Sequence, residues 1–132
     1  MQGFDVKAAA RHLAQQDIEL ERRIDERFKQ AWRDFAAIVA MIVSDYAPEQ
    51  VYQWGSLLKR RNFRDYSDID IAVASQIGAE AFFEMYGKAM ALTDFPIDIV
   101  ELAALHPERA ETIRRRGRLV YDRASNYYRP QG

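Results

Sequence analysis

The sequence predicts an α/β domain in which helices pack against a sheet of about four strands, with one long helix leading in from the N-terminal side. Three observations carry that expectation. The stretch Val6 to Tyr46 contains neither proline nor glycine and is rich in alanine, glutamate, glutamine and arginine, which favours helix. Two short runs, Ser67 to Val73 and Phe95 to Leu102, alternate polar and apolar residues with the period of a strand. Between them lies a longer segment with helical spacing, so the order of elements is helix, strand, strand, helix, strand, helix, strand.

The first helix has a continuous apolar stripe through Leu13, Leu20, Ile24, Phe28, Ala31, Phe35, Ile38 and Ile42. Unbroken, it would be roughly 60 Å long at 1.5 Å per residue, more than the width of a domain of this size. It must therefore either break near Gln15 to Asp17 or project and be covered by another chain, so a homo-oligomer through this helix is one expectation. Ala47-Pro48 ends it. Val51 to Trp54 is β-prone and stops at Gly55-Ser56, where a tight turn is expected. Phe82, Phe83, Tyr86, Met90 and Leu92 suggest a helix within Ile77 to Thr93, a crossover long enough for parallel pairing of its flanking strands, with antiparallel pairing also open. Pro107 suits the first turn of a further helix that Gly117 stops, with His106 at its start and Arg114 to Arg116 complementing its dipole. Leu119 to Tyr121 is a last strand, and Ser125 to Gly132 reads as a tail. The organisation expected is a helical segment over 1–47, a core over 48–123 and a tail over 124–132.

The 132 residues fit one domain, and 48% apolar with 30% charged residues is the balance of a folded globular chain. A net charge of −1 argues against a general affinity for nucleic acid. Cysteine is absent, which removes disulfides, thiol nucleophiles and thiolate metal sites, and His12 and His106 alone cannot build a zinc centre. No run is long and apolar enough for a membrane span or a signal peptide, and the expected location is the cytoplasm.

The chemistry is concentrated in Val51 to Val73. The two-residue period puts Asp68 and Asp70 on one face, where two carboxylates repel unless a cation lies between them; hard oxygen donors suit Mg²⁺ or Mn²⁺. Asp98, on the later alternating run, can join them if the strands are neighbours. A three-carboxylate cluster able to hold one or two divalent cations suits in-line displacement at phosphorus, with pyrophosphate leaving. The Gly55-Ser56 turn offers backbone N–H groups to an anion. The loop that follows carries Lys59, Arg60, Arg61 and Arg64, which fits either a solvated loop or triphosphate binding.

Gly55-Ser56, ten intervening residues, Ser67-Asp68-Ile69-Asp70 and then Asp98 on a later strand together resemble the minimal nucleotidyltransferases of the polymerase β superfamily. The likeness extends over about residues 48 to 123, since Leu119 to Asp122 is similar to the closing strand of those domains. The resemblance implies a small polymerase β-like fold, ATP as substrate, Mg²⁺ or Mn²⁺ on Asp68, Asp70 and Asp98, and triphosphate contacts from Gly55, Ser56, Lys59 and Arg60. It also implies that Asp98 helps deprotonate the acceptor. Small members of this kind act as antitoxins to helical HEPN ribonuclease toxins, some by adding AMP to a toxin tyrosine, so a HEPN-type partner is implied. Many relatives carry a further glycine where this chain reads Leu57-Leu58-Lys59-Arg60-Arg61, which removes a flexible point from the loop.

Several residues have plainer readings. Ser67 is expected to be a turn or strand-entry hydrogen bonder, Glu101 to face away from Asp98, and Trp54 and Tyr66 to pack in the core, with purine stacking as the other option. A different class of function, a non-catalytic antitoxin that neutralises a partner by masking its surface through the long helix, uses the same sequence.

Overall fold

A computed structural model describes residues 3–131. The chain forms α1 (Val6–Tyr46), β1 (Gln50–Trp54), β2 (Ile69–Ala74), α2 (Gly78–Met90), β3 (Ile97–Glu101), α3 (Pro107–Arg116), β4 (Arg118–Asp122) and β5 (Tyr127–Tyr128), with 3₁₀ turns at Ser56–Leu58, Arg60–Asn62 and Leu102–Ala104. No helix among the described residues is long and apolar enough to cross a membrane.

α1 does not break. The Asp5 side chain accepts a hydrogen bond from the Ala8 amide at 3.0 Å and so caps its start. Its end is an alanine in the left-handed region, Ala47 at φ 46, whose N–H reaches the Val43 carbonyl, and Pro48 prevents continuation. The apolar stripe is one surface with two environments. Ala31, Phe35, Ile38 and Ile42 are fully buried, whereas Val6, Leu13 and Leu20 on the same stripe are exposed. The free part from Val6 to Arg23, roughly 27 Å of helix, projects beyond the domain; Ile24 is where burial begins.

The sheet order is β3-β2-β1-β4-β5. β1 pairs antiparallel with β2 and with β4, while β2 and β3 are parallel, joined by the α2 crossover. Alternation along the strands sorts their residues between two layers. Val51, Ile69, Ile71, Val73, Ile99 and Val120 face α1 and α2, and Tyr52, Ala72 and Val100 face α3 through Ala110 and Ile113. Gly117 ends α3 where a Cβ would meet the Gln53 carbonyl at 2.8 Å, so the helix end sits directly on β1.

The sheet has five strands, not four, because the segment expected to be a tail turns back at Asn126 and pairs Tyr127 with Asp122 and Tyr128 with Tyr121. The Arg118 guanidinium accounts for this. It donates to the carbonyls of Arg129, Pro130 and Gln131 at 2.7, 3.3 and 3.3 Å and so draws the last residues onto the sheet.

Candidate active site

β1 delivers the chain to Gly55, whose φ of 84 and ψ of −162 lie in a region open essentially to glycine alone. The reason is local packing. A Cβ at this position would lie within 2.8 Å of the Asp70 Cγ and closer still to its Oδ2, so the turn rests its bare Cα on that carboxylate. Sheet register makes the approach unavoidable, since Trp54 pairs with Asp70 across β1 and β2. On the other side, Asp70 stands opposite Asp98 in the parallel β2–β3 ladder. Asp68, two residues before Asp70, continues the same alternation just ahead of the strand. The structure therefore places the turn and all three carboxylates at one end of the sheet, on the face that α3 covers further along.

None of the three carboxylates makes a hydrogen bond or ion pair among the described residues. The consequence is concentrated on the middle one. Burial, and then the charges of Asp68 and Asp98, push the Asp70 carboxyl up to about 7. The same field reaches Tyr86 of α2, whose phenol is raised first by burial and further by Asp98, Asp68 and Asp70. Its hydroxyl donates to the Ile97 carbonyl at 2.8 Å and steadies the peptide that precedes Asp98 on edge strand β3.

An open cleft of about 460 Å³ leads to Asp68 and Asp70 and is lined besides by Ser56, Asn62, Arg64, Tyr66 and Ser67, with Asp98 behind Asp70 outside the lining. Ser67 forms its rim as a buried strand-entry residue, its Oγ accepting from the Arg64 amide at 2.7 Å. Of the basic residues, Arg64 reaches this cleft, with its guanidinium donating to the Arg61 and Phe63 carbonyls. Arg60 does not. It turns away from the cleft to bridge Glu21, at 2.9 Å, and Asp25, one helical turn apart on α1, so from this placement it does not reach the position expected for a triphosphate contact. Lys59 is exposed and lies outside the cleft lining. Asn62 had no signal in the sequence, and nothing but the turn geometry brings it to the cleft. Tyr66 is 82% exposed at the cleft rather than packed in the core. Trp54 does pack, against the α3-side layer. Glu101 faces the other way, as expected, and accepts from the Ser75 amide at 3.2 Å, while His106 caps α3 through its Nδ1 on the Glu108 amide.

The donor set suits a hard divalent cation: three carboxylates without counter-charge, one of them holding its proton to near neutrality, beside a turn in which no side chain intervenes. Among the described residues no three acidic or histidine groups stand close enough to form a finished metal shell as they are placed.

A family model described as "Polymerase beta, Nucleotidyltransferase" matches residues 37–126. The chain belongs to this family. The match begins inside α1, so the free part of that helix lies outside the family's common domain. Solved structures similar to this nucleotidyltransferase share its fold. The toxin–antitoxin MntA-HepT has 19% identity and a TM-score of 0.54, over 70% of this chain and 73% of that one. A toxin–antitoxin with AMP-PNP has 21% identity and a TM-score of 0.56, over 69% and 77%. A protein from Sulfolobus solfataricus described as a nucleotidyltransferase has 18% identity and a TM-score of 0.53, over 79% and 91%. No curated protein matches the chain.

Proposed function

We propose that this nucleotidyltransferase transfers AMP from ATP to a hydroxyl on a protein acceptor, a tyrosine of a HEPN-type toxin, and thereby acts as an antitoxin. The observation that carries the reading is the Gly55–Asp70 contact with Asp98 opposite Asp70 in the ladder, which sets the turn's backbone beside facing carboxylates at one sheet end. The toxin–antitoxin structures of similar fold, one of them with AMP-PNP, support the choice of partner and nucleotide.

In this reading Asp68, Asp70 and Asp98 hold Mg²⁺ or Mn²⁺, which supplies charge neutralisation to the triphosphate and the leaving pyrophosphate. The chain's own groups do the rest. Backbone N–H groups at Gly55-Ser56 receive phosphate oxygens, and Arg64 and Asn62 line the path to them. Asp98, on the open edge strand, takes the proton from the acceptor hydroxyl. The acceptor oxygen then bonds to the α-phosphorus as its bond to the pyrophosphate oxygen breaks.

The test is transfer of label from α-labelled ATP onto a co-expressed HEPN partner, comparing the wild-type chain with Asp68→Ala plus Asp70→Ala. Label that needs both aspartates supports transfer. A partner that remains bound and silenced without label would sink the catalytic reading in favour of surface masking.

A further inference from the structure

The free part of α1 carries an apolar stripe with nothing of its own chain to cover it. Val6, Ala10, Leu13, Asp17, Leu20 and Ile24 recur at alternating steps of four and three residues, the spacing of the a and d positions of a two-helix seam. The stripe is in phase with the buried residues further along α1, so it continues the core-facing surface past the edge of the domain. Exposure here is substantial: Val6 is 68% and Leu13 60% exposed. What covers such a face is decided by the residues that flank it.

The flanks are self-complementary in one orientation. Beside the stripe on one flank are Lys7, Ala14 and Glu21; on the other are Ala9, Gln16 and Arg23. In an antiparallel pair centred on Gln15, equivalent flanks face each other. Lys7 then meets the second copy's Glu21, through the carboxylate oxygen that the Arg60 bridge leaves over, Glu21 meets its Lys7 in the same way, and the small Ala14 side chains meet at the two-fold axis. On the second flank Arg23 faces Ala9 and Gln16 faces itself, so no like charges are opposed. In the seam, Ala10 packs against Leu20 and Leu13 against Asp17. A parallel pair would instead set Gln16 against Glu21 and forgo the attraction. The centre at Gln15 also matches the length available, because the seam ends at Ile24, where the domain's own cover begins and Arg60 anchors Glu21 and Asp25.

We propose that the free part of α1 is a dimerisation arm that pairs antiparallel with the same arm of a second copy of this chain. The polar interruption at Asp17 keeps the pair weak, since two carboxylates flank the two-fold axis against leucine. The proposal does not depend on the catalytic reading.

Sedimentation velocity over a concentration series tests it with variants at exposed positions, which leave the domain core intact. The wild-type chain is expected to shift reversibly from monomer to dimer, and Leu13→Glu with Leu20→Glu to remain monomeric. Asp17→Leu should tighten the dimer at least tenfold. Lys7→Glu should weaken it about tenfold, because two symmetry-related pairs change from attraction to repulsion, and adding Glu21→Lys should restore it. A wild-type chain and an Asp17→Leu variant that both stay monomeric would overturn the proposal. So would a dimer indifferent to Lys7→Glu or not restored by the double reversal, or an arm that binds only a different protein.

Discussion

The Cα of Gly55 lies against the carboxylate of Asp70, too close for any side chain to intervene. Two motifs separated by fourteen residues thus form one surface, and the turn's conformation and the strand's charge are a single structural commitment.

Gly55→Ala should therefore fail twice. The backbone at φ 84 costs about 1–3 kcal/mol for a residue with a Cβ, and that atom must displace Asp70. Thermal unfolding should report the first as a lowered midpoint, and label transfer from ATP should be lost even at temperatures where the variant is folded. A variant with wild-type transfer would show that the contact is dispensable.

The raised carboxyl of Asp70 gives a pH dependence of definite sign. Between the ordinary carboxylate range and about 7, the folded chain holds a proton that the unfolded chain has released. Metal-free stability contributed by this group is thus complete at low pH and declines as pH rises through about 7. A divalent cation competes with that proton, so stabilisation by Mn²⁺ should grow between about pH 6 and about pH 8. Melting curves with and without Mn²⁺ check this; Asp70→Asn should flatten both trends.

Arg60 and Arg64 should separate cleanly. Arg60→Ala removes a bridge to α1 whose carboxylates are largely exposed, so the loss of stability should be within about 1 kcal/mol. Its KM for ATP should be near wild type, whereas Arg64→Ala, at the cleft, should raise that KM severalfold.

Tyr86→Phe keeps the ring and deletes the hydrogen bond to the Ile97 carbonyl. The cost in stability should be about 1 kcal/mol. With the peptide before Asp98 less constrained, kcat for transfer should fall while the KM for ATP holds. Equal loss in both would point to a general disturbance instead.

The two halves of the α1 stripe make a contrast in stability. Phe35→Ala, at a fully buried position, should cost about 3–5 kcal/mol. Leu13→Ala in the monomer should change stability by less than about 0.5 kcal/mol. Chemical denaturation at low protein concentration measures both.

The features most legible in the sequence were those set by local pattern. Period-two alternation placed Asp70 and Asp98 on strand faces, and the absence of breakers marked out α1 over about Val6 to Tyr46, although whether it ran unbroken stayed open. The parallel pairing that sets Asp70 opposite Asp98 was one of two open possibilities, since a long crossover permits either. What escaped depended on partners distant in sequence. Arg60 belongs to α1 because Glu21 and Asp25 happen to face it, which no loop composition reveals. β5 forms because Arg118 collects carbonyls from the last residues, and carbonyls are the same in every sequence. Tyr66 is at the surface because the turn that precedes Asp68 points it outward, against the usual fate of an aromatic.

The grip of Arg118 has one more consequence. Its Nε donates to Gln53 at 2.9 Å and its remaining donors go to main-chain carbonyls, while its guanidinium lies 5.2 Å over the Trp32 ring. All of these partners are neutral, and burial holds its pKa below the ordinary arginine range. Residues 129–131 therefore serve as a solvation shell for a cation that forms no ion pair among the described residues. Truncation after Tyr128 would strip these carbonyls from Arg118 at the end of the β1–β4 ladder, where it pairs with Gln53, would be felt through Gln53 and Trp32, and would act on the fold as a charge mutation without altering Arg118 itself.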